Sequence, residues 1–426
     1  MNNNFKLDNI LIYEPMDTQP FYPFSIMHPI WELRVGAFKI YERFLNYFPE
    51  TNLSFYGRKE HKQAFFAKNN LIETGLRSGN LLVMDSRYIL ETNLFEQLSK
   101  LLTKKVQNSF ILQYKNENFG IFLNESDFSR SEEFQRPELL VQQHLEIFNK
   151  LPKIEFENLF KLNYLYDILD YVGDLINEDY EYIEENYPPT FVLGDEGVFI
   201  LSYDKIWRER ETNVMPGVVI DSTNGAVIID KSAVVMPQVT IIGPVYIGKH
   251  TIVKVGAKIY PNTAIGDYCK VGGEIEDSVI QDFSNKQHEG FLGHSFLGEW
   301  VNLGADTNTS DLKNTYSSIK IRIEKTEIDT GRIFLGLLCG DHTKSGINTM
   351  FTTGSVAGIC GILVNEWFLP NFIPSFSWGG GKNAPIYKVE KAIETAKIVM
   401  KRRNKELLPE QELLIKMEYE RIKSMR

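Results

Sequence analysis

The chain has 426 residues, with 46 Lys and Arg against 56 Asp and Glu, a formal charge of -10 and a sequence pI near 5.4. That length can bury more than one core, so two or three domains are expected, and the acidic balance argues against a nucleic-acid surface while leaving room for a local basic pocket for a phosphate. No run approaches the roughly 18 apolar residues of a membrane span; the longest candidate, Val356 to Val364, is closed by Asn365 and Glu366.

In chain order, the N-terminus lacks a basic-then-apolar signal architecture, and NILIY (Asn9 to Tyr13) reads as a buried strand followed by a loop rich in proline. From Pro29 the sequence IWELRVGAFKIYERFLNYF spaces Leu33, Phe38, Ile40, Phe44 and Leu45 as a helix would. Further strands are expected at Asn80 to Met84 and Phe110 to Gln113, which together suggest an α/β domain with ligands at the carboxyl ends of its strands. Helical patterns follow at Pro137 to Lys150 and Leu162 to Ile183, ended by Pro188 and Pro189. Phe191 to Leu201 looks like a strand pair or an approach to the next domain, whose boundary is expected between Tyr203 and Met215.

From there one pattern dominates. Ile229, Val235, Ile241, Ile247, Val253, Ile259, Ile265 and Val271 fall at every sixth position, a period that neither a helix nor a lone strand selects. It fits a triangular solenoid in which each short strand forms one face of a coil and the recurring aliphatic points inward. Gly248, Gly266 and Gly272, with Pro237, Pro244 and Pro261, suit the turns between faces. Phe291, Leu297 and Leu303 resume the period two residues out of phase, so something between Glu274 and Gly290 is expected to bulge out of the coil. IKIRIEKTEID then alternates like an exposed arm, the coil resumes to about Val364, and roughly eight coils of about 18 residues are expected. The tail reads as one or two charged helices with Pro409 opening the second. The domains are therefore set at 1-210, 211-365 and 366-426. Cys269, Cys339 and Cys360 are widely spaced and odd in number, which suggests small core residues in a reducing compartment and a cytoplasmic protein.

The run Glu274 to Tyr316, EIEDSVIQDFSNKQHEGFLGHSFLGEWVNLGADTNTSDLKNTY, resembles the acyltransferase domain of the bifunctional enzymes that acetylate glucosamine-1-phosphate and then uridylylate it. HPIWELRVGAFKIYERF resembles the N-terminal domain of a divergent branch of putative sugar nucleotidyltransferases fused to the same helix. The resemblance implies an α/β nucleotidyltransferase-like domain followed by a left-handed parallel β-helix, with acetyl-CoA and Mg²⁺ as cofactors, sugar phosphate and NTP as substrates, and a homotrimer. It also implies that His288 is the general base for the attacking sugar amine, a task suited to an imidazole, and that Asn302 contacts the sugar. Phe291 stands where the family has a phosphate-binding tyrosine and Glu276 where it has a lysine; Lys286 and Lys313 are candidates to restore the charge. His294 and His342 read as structural or supporting residues. A zinc site of the γ-carbonic anhydrase kind is the weaker alternative, because the spacing of His250, His288 and His294 does not match it.

Nucleotidyl transfer needs an anion cradle, a cation at the α-phosphate and carboxylates for Mg²⁺. The family's glycine-rich loop after the first strand is absent, and no glycine precedes Gly36. Arg34 can meet a phosphate or pair with Glu32; Asp85 can hold metal after a buried strand or cap the following helix. Two rivals stay open, a nucleotidyltransferase whose helix is a trimer scaffold and a non-catalytic sensor of sugar nucleotides.

Overall fold

The computed structural model describes residues 7–105, 108–129, 151–187, 196–364, 369–379, 381 and 384–425, so the helix expected at Pro137 to Lys150 and the break at Pro188 and Pro189 lie outside the described residues. The chain divides into two compact units, one of residues Met1–Pro20, His28–Leu33 and Phe38–Asn163, the other of Phe21–Met27, Arg34–Ala37 and Tyr164–Arg426.

The first unit is an α/β domain. Strand β1 (Asn9–Tyr13) pairs in parallel with β2 (Asn52–Tyr56) and β3 (Leu81–Asp85). Beyond β3 the sheet continues with the hairpin of β4 (Phe110–Tyr114) and β5 (Glu117–Leu123) and ends at β6 (Lys153–Glu155), in the order β2-β1-β3-β5-β4-β6. The hairpin closes on Lys115 and Asn116, both at positive φ, the backbone that matches the twist of paired strands. Helices α1 (Ile40–Tyr47), α2 (Lys59–Asn69), α3 (Thr92–Lys105) and α4 (Glu125–Ser129) complete the unit. The three parallel strands end together at Tyr56, Tyr13 and Asp85, and ligands gather at such ends in open α/β sheets.

The helix expected from Pro29 is shorter than its spacing predicts. Only Ile40–Tyr47 is α-helical, preceded by a single 3-10 turn at Ile30–Glu32. Gly36 sits at a φ of 100°, a conformation that breaks the helix and that glycine adopts without a steric penalty. Leu33, Arg34 and Val35 are buried in an extended connection.

The second unit is a parallel β-helix. The eight aliphatic residues of the repeat are all buried in one core, and each coil pairs in register with the next, as Ile229 does with Ile247 and Ile247 with Ile265. One face carries nine strands, from Ile206–Arg208 to Phe372–Ile373. The solenoid therefore begins before the expected boundary region, at Phe199–Leu201, and runs past Val364, with nine coils on its longest face. The phase slip has a different cause from the one expected. Eighteen residues separate Ile229 from its partner Ile247, but only 15 separate Ile265 from Ile280 and Val271 from Lys286. The coil is cut short rather than bulged out. The true insertion comes later, as the hairpin Lys320–Ile323 with Thr326–Asp329, whose Ile319, Ile321 and Ile323 are buried while Lys320 and Arg322 are exposed.

The nine-stranded face is covered. Helix α5 (Ile168–Asn186) lies across its earlier coils, approaching so closely at Gly173 that a Cβ there would fall 2.0 Å from Asn262 Oδ1. Phe24 packs edge-on against Phe296, and Tyr22 against Phe372, over the later coils. Outward residues such as Ile228, Tyr246 and Phe296 are consequently as buried as inward ones. At one corner His250, Tyr268, Phe283, Trp300 and His342 all take positive φ, and their rings stack nearly parallel with centroids 4.3 to 6.2 Å apart. Stacking offsets part of the backbone cost of five non-glycine residues in that conformation. The tail forms the two expected helices, α6 (Val389–Lys401) and α7 (Pro409–Met425); Glu418 of α7 accepts from Ser375 at 2.6 Å. The three cysteines are free and buried, and burial pushes each thiol above its ordinary pKa, so they are inert core residues. Among the described residues no helix is long and apolar enough to cross a membrane.

Candidate functional site

The shortened coil shapes the first candidate site. Lys286 pairs in register with Val271 and so occupies an inward position of the prism, where it is buried. Its ammonium group donates to the carbonyls of His288 at 2.6 Å and Glu289 at 3.1 Å. Gly273 leaves room for that end of the side chain, since a Cβ there would lie 2.9 Å from Nζ. Burial lowers the Lys286 pKa to about 8, against the raising effect of Glu289 and Asp306. A lysine in the aliphatic column thus fastens the turn that presents His288. The imidazole itself is exposed, and among the described residues it makes no hydrogen bond or ion pair.

One coil on, Asn302 bridges Asn285 and Lys344. Asn285 donates to Asn302 Oδ1 at 3.4 Å and accepts from Arg403 at 2.9 Å, so the tail contributes a cation that the sequence did not single out. Beyond the His288 turn, Phe291 opens onto a cavity of about 540 Å³ lined also by Asn308, Ser310, Lys313, Thr352 and Thr353. That is the size of a small-molecule site, with two phenylalanines, Phe291 and Phe351, and many hydroxyl and amide groups in its lining. Lys313 lines it, but its ammonium donates to the Ser318 carbonyl at 2.7 Å. Lys286 and Phe291 therefore lie on adjacent faces of the prism, with the His288 turn between them, and Lys313 lines the cavity on the Phe291 face.

Beside that cavity, whose lining residues Ser310 and Leu312 flank Asp311, Glu276, His294 and Asp311 meet. His294 Nδ1 is 2.8 Å from Asp311 Oδ2 and Nε2 is 3.8 Å from Asp277, while Phe334 stacks on the ring at 4.8 Å. Burial lowers the His294 pKa, but the bond to Asp311 and the charges of Asp277 and Glu276 more than offset it, so the net shift is upward. Burial and Asp311 raise the Glu276 pKa. The signal for this cluster was present in the sequence as one acidic or histidine residue per coil, with 17 residues between His294 and Asp311, but a regular repeat cannot tell which coil is shortened.

Arg34 lies elsewhere in the second unit. It is 3 % exposed, donates to the Ala37 carbonyl, meets Asp282 at 3.1 Å and lies over the Tyr246 ring. Its expected alternative partner, Glu32, instead faces His28 at 2.9 Å and Lys68 at 2.7 Å. Burial would raise the Glu32 pKa, yet Lys68 and His28 hold it well below the usual carboxylate range.

In the first unit, the strand ends carry a network of paired charges. Both oxygens of the buried Asp85 are held by Arg87, at 2.6 to 3.2 Å, and Arg87 also reaches Glu117 at 3.3 Å. As arranged, Asp85 presents a neutralised carboxylate, which does not fit a Mg²⁺ site, and no step through the metal follows from it. At the end of β1, Glu14 accepts from the amide of Ile30 at 3.1 Å, the amide of Arg58 at 3.2 Å and the Arg58 guanidinium at 2.8 Å. Backbone amides and a guanidinium converging on an anion form the kind of cradle that a phosphate uses. Here an internal carboxylate fills it, where a glycine-rich loop was missing from the sequence. A second cavity in this unit, about 460 Å³, is lined by Leu11, Ser54, Tyr56, Lys62, Glu73 and Leu76.

Residues 10–187 match the family described as sugar nucleotidyl transferase. The chain is 23 % identical over 320 residues, 68 % of this chain and 76 % of the relative, to a bifunctional sugar-1-phosphate nucleotidylyltransferase/acetyltransferase of Sulfurisphaera tokodaii. It is 25 % identical over 354 residues, 77 % of this chain and 78 % of the relative, to the bifunctional protein GlmU of Methanococcus aeolicus. A shorter match of 104 residues, 31 % identical and covering 24 % of this chain, is found with GlmU of Methanocaldococcus jannaschii.

Proposed function

We propose, from the premise that residues 10–187 are a sugar nucleotidyl transferase domain in a chain related along most of its length to bifunctional nucleotidylyltransferase/acetyltransferases, that this protein carries out two transfers in sugar-nucleotide biosynthesis. One is acetyl transfer from acetyl-CoA to an amino sugar 1-phosphate; the other is nucleotidyl transfer from an NTP to a sugar 1-phosphate, releasing pyrophosphate. In the first, the sugar nitrogen attacks the thioester carbonyl, a C–N bond replaces the C–S bond, coenzyme A leaves as the thiol, and His288 takes the amine proton. The observation that carries this reading is the exposed His288 on a turn pinned by Lys286, followed directly by a cavity of about 540 Å³ rich in hydroxyl and amide groups. Asn302 and Lys313 are its proposed sugar contacts.

His288 has no carboxylate or carbonyl to orient its ring among the described residues. A homotrimer would place a neighbouring prism against this exposed face and supply both the orienting partner and one wall of the acyl-CoA groove. For nucleotidyl transfer the proposed place is the end of β1 and β3, with Mg²⁺ arriving on the phosphates of the NTP. The proposed compartment is the cytoplasm. A second reading, a first unit that binds a sugar nucleotide without turning it over, is favoured by Glu14 filling the anion cradle and Arg87 neutralising Asp85.

The test of the acyl half is thiol release from acetyl-CoA with glucosamine-1-phosphate. His288→Ala should lower kcat by about 10²-fold or more; equal rates in variant and wild type would remove His288 from the reaction.

A further inference from the structure

The corner formed by Glu276, His294 and Asp311 has the makings of a site that neither transfer requires. Strand Glu274–Glu276 pairs with Phe291–Gly293 so that Glu276 stands opposite Gly293, and Gly293 in turn donates its amide to Thr309 of the third coil. Three successive coils therefore deliver Glu276, His294 and Asp311 to one place. One ligand-type atom from each lies within 4.8 Å of the other two. Two further observations separate this corner from a chance gathering of charge. Gly293 is open space on which the cluster depends, because a Cβ there would lie 2.5 Å from Asp311 Oδ2. The imidazole is fixed on both sides, by Phe334 stacked at 19° to its plane and by Asp277 3.8 Å from the nitrogen that faces away from Asp311. A carboxylate behind the far ring nitrogen is the usual support of a histidine that binds metal.

We propose that Glu276, His294 and Asp311 bind a divalent cation that accepts mixed nitrogen and oxygen ligands, with Zn²⁺ the best match and Mn²⁺ the second. Imidazole with two carboxylates is a set of three protein ligands that leaves coordination positions open. The 2.8 Å between His294 Nδ1 and Asp311 Oδ2 is a hydrogen-bond distance, and a side-chain rotation that opens it to about 3.4 Å would place both atoms at bonding distance from one tetrahedral ion. The Glu276 carboxylate accepts no hydrogen bond from the described residues, whose bonds to Glu276 go to its backbone carbonyl, and it stands beside the carboxylate of Asp311. A cation removes the repulsion between the two and ties three coils together beside the cavity that Phe291 and Lys313 line.

The experiment is titration calorimetry of the full chain, stripped with a chelator, against ZnCl₂ and then MnCl₂. Wild type should bind one equivalent, and Glu276→Gln and His294→Ala should each weaken binding by about tenfold or more, with circular dichroism verifying that both variants fold. His250→Ala, at an exposed histidine on another coil, should bind as wild type does. Absence of saturable binding in wild type overturns the proposal, as does wild-type affinity in either Glu276→Gln or His294→Ala.

Discussion

Lys286→Met removes a buried amine from the aliphatic column and leaves its stem volume in place. In the folded protein burial lowers the Lys286 pKa from 10.5 to about 8, a difference of about 3 kcal/mol between the protonation states. A lysine whose folded pKa lies below its unfolded value binds fewer protons when folded, so wild-type stability should rise as pH increases from about 8 toward 10.5. Near pH 7 the full cost of holding the charged amine is present. Methionine relieves it but strips the carbonyls of His288 and Glu289 of their donor, at about 1–3 kcal/mol for each carbonyl that stays buried. Because that turn is exposed at His288 and Glu289, water can replace much of the loss, and the variant should lie within about 2 kcal/mol of wild type at pH 7. Urea unfolding of both proteins from pH 7 to 10 measures the difference directly. Wild type should gain up to about 3 kcal/mol on the variant over that range, while thiol release by the variant falls because the His288 turn is no longer pinned. A stability difference that does not change with pH refutes the buried amine and the argument built on it.

Arg34→Ala should destabilise the protein by about 3–5 kcal/mol, because it leaves the nearly buried Asp282 without its guanidinium partner; a loss below about 1 kcal/mol in chemical denaturation would show that the pair is not structural. Asp85→Ala should leave both thiol release and pyrophosphate release from an NTP and a sugar 1-phosphate in place, because Arg87 already neutralises that carboxylate, and abolished pyrophosphate release would refute this.

The repeat of six made the solenoid legible because its cause is local: one inward aliphatic per face, corner after corner, whatever the rest of the chain does. The same locality hid the events at 271–292. Successive coils of 15 and 17 residues, four short of two full coils, give the same phase slip in a repeat of six as a bulge of two, and only the pairings of Val271 with Lys286 and of Asn285 with Asn302 tell them apart. The first pairing also turns Lys286 from a candidate phosphate ligand facing outward into an inward pin. Arg34 was legible as a residue of consequence but not as a partner of Asp282, 248 positions away, since nothing in a local pattern encodes so distant a pair. The helix from Pro29 failed at Gly36 for a related reason. Its apolar residues are buried as the spacing implies, but Leu33 and Val35 are buried in an extended connection instead.

Charge distribution around the shortened coil bears on how the cavity and the acidic cluster divide the work. Lys286 lies behind the His288 turn, and Lys313 lines the cavity two residues from Asp311, which with Glu276 and Asp277 surrounds His294. A sugar phosphate placed with its anion toward the acidic cluster would meet carboxylates and be repelled. Placed with its anion toward Lys313 it would meet a cation whose ammonium is already directed to Ser318, within a lining that is otherwise neutral. The acidic cluster therefore accommodates a phosphate only with a divalent cation between them. Phosphate affinity that rises when Zn²⁺ or Mn²⁺ is added would join the cation site to the acceptor site, and affinity indifferent to both ions would leave the cation as a fastening of three coils and Lys313 as the sole anion contact.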